Sequence, residues 1–136
     1  MREHQLEIRV RYSETDQMGV VYHANYLPYF EVGRVEWLRN QGFSYKQMEI
    51  EGVALPIIKI NINYKKPARY DDVLTIVTRL KRLSGVRLEM ECYIKNETDE
   101  LLTTANFILA FIDIKTGKPV LPPEYILNIL MPLNEN

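Results

Sequence analysis

One segment of this chain has clear helical periodicity, with one strand-like run before it and four after it. That order constrains the fold more than any other feature. The helical segment runs from about Tyr26 to about Gln41, with Leu27, Phe30, Val35, Trp37 and Leu38 as apolar positions. Asn25 is placed to cap it, since its side-chain oxygen accepts a free backbone N–H. Pro28 falls in the first turn, where a missing N–H costs little. Gly42 is expected to close the far end in a left-handed conformation.

Around this helix the period changes to two. Leu6, Ile8 and Val10 alternate with polar residues. So do Ile58, Ile60, Ile62 and Tyr64, then Leu74, Ile76 and Leu80, then Val86, Leu88, Met90, Cys92 and Ile94. Ser84-Gly85 reads as the turn between the last two sets, and Asn96 to Glu100 as another. Residues 101 to 114 are apolar at nearly every position, as in a strand buried on both faces, and Lys115 to Pro119 ends it. Pro122-Pro123 starts a short helix with Ile126, Leu127, Ile129 and Leu130 on its apolar side. Residues 12 to 24 read as a loop, and 43 to 56 are the least patterned stretch. Short turns force antiparallel pairing. A lone helix and five strands then share one core only if the sheet curls over the helix, so an α+β fold is expected.

The 136 residues suit a single domain, 1–136, with 46% hydrophobic and 26% charged residues. The net charge of −1 gives no basic field for nucleic acid or an anionic membrane. No apolar run approaches the roughly 18 residues of a membrane span, so no membrane insertion is expected. No signal-like segment opens the chain, and Cys92 is the only cysteine. A cytoplasmic protein is the expectation.

The chemistry is concentrated between Arg11 and Tyr26, where a carboxylate, a glycine, a histidine and a helix start fall close together: Asp16, Gly19, His23 and Asn25. Cleaving a thioester takes a nucleophile, or a base that activates water. It also takes donors aimed at the oxygen that becomes negative. The first N–H groups of a helix are unpaired and point outward, so they form such a site, worth roughly 3 to 4 kcal/mol per donor. A loop folding back over that helix end brings Asp16 to the same carbon. An isolated loop Asp is more often a turn or cap residue; Gly19, His23 and the helix start are what set Asp16 apart. Gly19 reads as a backbone requirement for positive φ. Cys92 lies in the apolar register of its strand and reads as core, His4 as a surface residue, and Glu36 as a solvated or interface charge. Lys65, Lys66 and Arg69 form one basic cluster, and Lys81, Arg82 and Arg87 flank the Ser84-Gly85 turn. Either can be ordinary solvated charge.

The string Tyr12 to Tyr26, followed by Leu27-x-Tyr29-Phe30-Glu31 and Arg34-x-Glu36-Trp37-Leu38-Arg39, resembles the hotdog-fold acyl-CoA thioesterases of the hydroxybenzoyl-CoA thioesterase type. It most resembles their bacterial branch associated with the Tol–Pal envelope system. The resemblance implies a hotdog fold: a curved antiparallel five-stranded sheet wrapped around a long central helix. It implies a homodimer or homotetramer with the site at the dimer interface, an acyl-CoA substrate, and no metal or bound cofactor. By position, Asp16 is nucleophile or general base, the His23 backbone N–H polarises the carbonyl, and the Tyr12 and His23 side chains line the reaction site. Gly19, Val21, Tyr22, Asn25 and Tyr26 are assigned to substrate binding, with Tyr29 a further candidate for the acyl pocket. Arg82 and Arg87 match the placement of a nucleotide-contacting loop.

Three alternatives stand beside this. Another hotdog branch uses a helix carboxylate, for which Glu31 is the candidate. A non-hydrolytic module binding acyl-CoA or an acyl carrier protein is possible on the same fold. A hotdog dehydratase is the third, and its loop motif differs from the one here.

Overall fold

The computed structural model describes residues 2–134. Its main sheet has five antiparallel strands: β1 (Glu3–Arg9), β3 (Ile57–Tyr64), β4 (Val73–Ser84), β5 (Arg87–Lys95) and β6 (Leu101–Ala110), in the order β1-β4-β5-β6-β3. A small second sheet pairs β2 (Val53–Ala54) with β7 (Ile112–Asp113). The long helix α1 (Tyr26–Gln41) is followed by α2 (Tyr45–Ile50), and α3 (Glu124–Leu130) lies near the C-terminus. This is the expected α+β hotdog arrangement of a five-stranded sheet and a long central helix.

The sheet comes close to α1 at Gly33. A Cβ built there would lie 2.6 Å from Thr78 Oγ1 and 2.8 Å from Ile76 Cγ2, both on β4. Only a residue without a side chain lets helix and strand approach so far. Either side of it, Tyr26, Tyr29, Phe30, Arg34, Trp37 and Leu38 are buried against Leu74, Ile76, Leu80, Met90 and Phe107. Arg34 is a buried cation. Its Nε donates to the Tyr45 hydroxyl at 2.8 Å, and its guanidinium lies 5.6 Å from the centre of the Phe107 ring.

The structure corrects several expectations. Leu27 is 44% exposed, because the inward face of α1 is set by the 26-29-30-33-34-37-38 spacing. His4 is half-buried, since it shares the inward face of β1 with Leu6 and Ile8; its Nδ1 has no partner among the described residues. The β4–β5 turn is Gly85-Val86, one residue later than expected, closed by the Ser84–Arg87 pair. The apolar run from 101 divides at Phe111 into β6 and β7. The quiet stretch holds α2, capped by Ser44 Oγ, which accepts the Gln47 N–H at 3.2 Å. Most important for the site, β3 does not turn directly into β4. It forms the opposite edge of the sheet, and residues 65–72 cross back past the entrance of α1.

Candidate active site

The segment before α1 folds into a small hairpin. Thr15 pairs with Val21, the Asp16 N–H donates to Val20 O at 2.9 Å, and the Gly19 N–H donates to Asp16 O at 3.0 Å. Gly19 has φ +76°, the conformation that favours glycine. The 65–72 crossover supports the second arm: the Val21 N–H donates to Ala68 O at 2.8 Å, and Val20 pairs with Arg69. Asp16 and the entrance to α1 therefore lie on the two arms of one hairpin.

Two carboxylates occupy this hairpin, and the structure separates their roles. Glu14 points inward. It accepts from the Arg11 N–H at 2.8 Å, from Arg11 Nη2 at 3.1 Å and from the Tyr29 hydroxyl at 3.0 Å. Burial alone would raise its pKa, but the Arg11 and Tyr29 hydrogen bonds outweigh that and hold it below the ordinary value. Asp16 is exposed, and one oxygen accepts the Met18 N–H at 2.8 Å. Nothing among the described residues donates to its other oxygen. Glu14 is engaged on both oxygens, whereas Asp16 has one oxygen that accepts no hydrogen bond among the described residues.

The entrance to α1 differs from expectation. A single 3₁₀ turn, His23–Asn25, precedes the helix, and Tyr22 is the extended residue before it. Asn25 is therefore already in a helical conformation, with φ −79° and ψ −6°, and its side chain caps nothing. Its Nδ2 instead donates to Glu14 O at 2.8 Å, tying the helix entrance to the hairpin. The His23 and Ala24 N–H groups, the first of the turn, meet no acceptor among the described residues.

A cavity of about 280 Å³ opens beside this turn, lined by Val21, His23, Tyr26, Tyr64, Lys65, Lys66 and Pro67. Val21 and Tyr26 are buried, and the Tyr26 hydroxyl accepts the Ala68 N–H at 3.1 Å. Tyr26 thus offers the cavity its ring and not its hydroxyl. Tyr29 is buried behind it, and burial together with the Glu14 carboxylate pushes its hydroxyl pKa up. Tyr22 is exposed with its ring 4.4 Å from that of His23, and Tyr12 is exposed with its ring edge-on to Tyr70.

Sequence reasoning missed Tyr64. Its hydroxyl donates to the His23 carbonyl at 2.9 Å, across 41 positions of sequence. No local pattern signals such a contact, because it depends on the end of β3 arriving beside α1.

The two basic clusters are separated. Lys65 and Lys66 line the cavity, and Arg69 pairs with the hairpin. Arg82 and Arg87 sit at the far end of β4, whose 12 residues begin beside the hairpin at Val73. At about 3.3 Å per residue Arg82 lies roughly 30 Å along the strand from Val73, and Arg87 begins β5 beside Ser84, so within one protomer both are at the end of the sheet remote from the hairpin. Arg82 is paired there with Glu89 at 3.3 Å. Glu31 faces a different cavity, of about 440 Å³, with Arg34, Tyr45 and Leu55. Glu36 pairs with Arg39 on the outside of α1. Cys92 is buried, and burial pushes its thiol up to about 12, so it is no nucleophile. No group of three His, Cys, Asp or Glu among the described residues could hold a metal ion, and no helix among them is long and apolar enough to cross a membrane.

Residues 10–130 match the thioesterase-like superfamily. The putative acyl-CoA thioesterase YneP of Bacillus subtilis is 42% identical over 114 residues, covering 84% of this chain and 83% of that one. The acyl-CoA thioester hydrolase YbgC of Escherichia coli O6:H1 is 37% identical over 119 residues, covering 88% and 89%. Among solved structures, the DHNA-CoA thioesterase of Staphylococcus aureus superposes with a TM-score of 0.85 at 38% identity, covering 97% of this chain and 85% of that one.

Proposed function

The chain belongs to the thioesterase-like superfamily and is a thioester hydrolase, and we propose that it converts an acyl-CoA and water to a free acid and CoA through Asp16. The observation that carries this reading is the contrast within the hairpin: Glu14 is fully engaged, while Asp16, on the arm opposite the one that leads to the entrance turn with its unpaired N–H groups, holds a free carboxylate oxygen.

In this reading the thioester carbonyl oxygen takes the His23 N–H, with the turn's partial positive charge behind it. Asp16 either adds to the carbonyl carbon, giving an acyl anhydride that water then opens, or takes a proton from the water that adds. In both cases the C–S bond breaks and the electron pair leaves on the CoA sulfur. Neither route asks for a metal or a redox cofactor. The Tyr12 and His23 side chains border the reacting centre, and Val21, Tyr22 and Tyr26 shape its walls. Gly19 holds the turn that presents Asp16, and Asn25 anchors the helix entrance to it.

The exposed position of Asp16 calls for a second subunit to exclude water, and of the two sheet edges, β1 and β3, this reading places it on β3, which exposes Ile57 and Ile58. A homodimer, or a tetramer of such dimers, follows. Lys65, Lys66 and Arg69 are local candidates for the CoA phosphates; Arg82 and Arg87 serve only if the partner presents them. In this reading the chain is of the hydroxybenzoyl-CoA thioesterase type and its Tol–Pal-associated branch, with an acyl carrier protein as a second carrier of the acyl group; the Tyr12–Tyr26 string supports it.

The test is thiol release from a panel of aliphatic and aromatic acyl-CoAs by the wild type, Asp16→Asn and Asp16→Ala. Asp16→Asn should lower kcat by roughly 10²- to 10⁴-fold on the best substrate. Full activity in Asp16→Ala would overturn the assignment. A wild type that binds CoA tightly but turns over nothing would make the protein a binding module.

A further inference from the structure

We infer that Tyr64 is a positioning residue for the oxyanion site, acting through the peptide group that it holds at the entrance turn of α1. Its hydroxyl donates to the His23 carbonyl at 2.9 Å. That carbonyl belongs to the same peptide group as the Ala24 N–H, which neighbours the His23 N–H. Neither N–H has an acceptor among the described residues, so nothing on the donor side of the turn fixes their direction. The Tyr64 hydroxyl fixes the Ala24 N–H from the acceptor side, while the His23 N–H belongs to the preceding peptide, whose Tyr22 carbonyl accepts the Asn25 N–H at 2.8 Å. A hydrogen bond received at the His23 carbonyl also polarises that amide and strengthens the Ala24 N–H, which stands as a second donor beside the His23 N–H.

The geometry around Tyr64 suits this task. Its ring stands edge-on to Tyr26, with centroids 5.4 Å apart and planes at 74°. Tyr26 is itself locked by the Ala68 N–H, and Ala68 O in turn receives the Val21 N–H. The backbone just beyond Tyr64 is also held, because the Lys65 and Lys66 N–H groups both donate to Leu102 O, at 2.8 and 3.0 Å. The phenol is therefore anchored on both sides, and its oxygen ends at one atom of the turn. Tyr64 is nevertheless 51% exposed, so its hydroxyl gains little as a core contact. A half-exposed phenol rigidly aimed at one carbonyl of the entrance turn is a device for orientation.

This inference rests on the reading of the His23 turn as the oxyanion donor, so Asp16→Asn is assayed alongside. Tyr64→Phe keeps the ring and removes only the hydroxyl. It should lower kcat about tenfold, the scale of a weakened but surviving donor, with KM within about twofold and the melting temperature within about 2 °C. An unchanged kcat overturns the inference, and so does a rise in KM that accounts for the whole loss. If Tyr64→Phe fails to fold, a fluorinated tyrosine at position 64 keeps shape and hydroxyl while making the hydroxyl more acidic. Its kcat should fall as pH rises through that hydroxyl's ionisation, over a range where the wild type is flat, since a phenolate cannot donate. A flat profile overturns the inference. Full activity in Asp16→Asn would strike the underlying reading; an inactive Asp16→Asn with an unaffected Tyr64→Phe strikes this inference alone.

Discussion

The Tyr29 hydroxyl, on the buried face of α1, donates to Glu14 at 3.0 Å and so fastens the hairpin bearing Asp16 to the helix that follows it. Both residues lie within six positions of the groups proposed to react, Asp16 and His23, yet neither lines the cavity at the helix entrance. Their bond fixes one half of the site relative to the other.

A pH dependence follows. Burial opposes ionisation of Glu14, but its hydrogen bonds from Arg11 and Tyr29 win and depress its pKa. For a carboxylate depressed on folding, the contribution to stability is complete above the unfolded value of 4.5 and is lost as pH falls through the lower folded value. Thermal melts of the wild type and Glu14→Gln should therefore differ at pH 7, and the difference should shrink as pH falls below 4.5 through the lower folded value. A difference that persists unchanged at pH 3 would show that the carboxylate's charge is not what Glu14 contributes.

Gly33→Ala tests the helix–sheet contact. Alanine gains about 1 kcal/mol of helix propensity. Its methyl, however, would stand 2.6 Å from Thr78 Oγ1 and 2.8 Å from Ile76 Cγ2, atoms on stiff β-branched side chains. Overpacking of this kind costs about 1–3 kcal/mol, so the net change should be a fall in melting temperature of up to about 8 °C. A stabilised variant would mean that α1 and β4 separate more easily than their packing implies.

Edge pairing is tested at Ile58, an apolar residue 51% exposed on β3. Ile58→Lys should shift the protein, by light scattering, from a multiple of 16.0 kDa to that mass itself. Thiol release should fall at least about tenfold while the melt remains cooperative, because the water-excluding wall is lost but the protomer core is not. A wild type that is monomeric and fully active would remove the need for a partner.

Much of the fold was legible because it rests on local periodicity. Helix α1 has the bounds that its pattern and Gly42 implied, and Leu74, Ile76, Leu80, Leu88, Met90 and Ile94 face the core as their alternation required. Three features were not legible. Asn25 reads as a cap by residue type, but a preceding 3₁₀ turn spends its backbone on a helical conformation and sends its side chain to Glu14. The placement of β3 at the far edge is a choice of partner, and strand patterns specify faces, not neighbours. The distance between Arg82 and Asp16 follows from that topology.

The sequence by itself determined which segment is proposed to carry the chemistry: the spacing from Asp16 to Asn25, set against the start of a long helix, is a local property of the chain. Tertiary structure alone decided which carboxylate is free, since Glu14 is engaged only because Tyr29 reaches it from the folded helix. It also decided that Tyr64 holds the His23 carbonyl and that Lys65 and Lys66 line the cavity. Those relationships join residues tens of positions apart. They exist only after the sheet has curled around α1, and no short-range pattern encodes them.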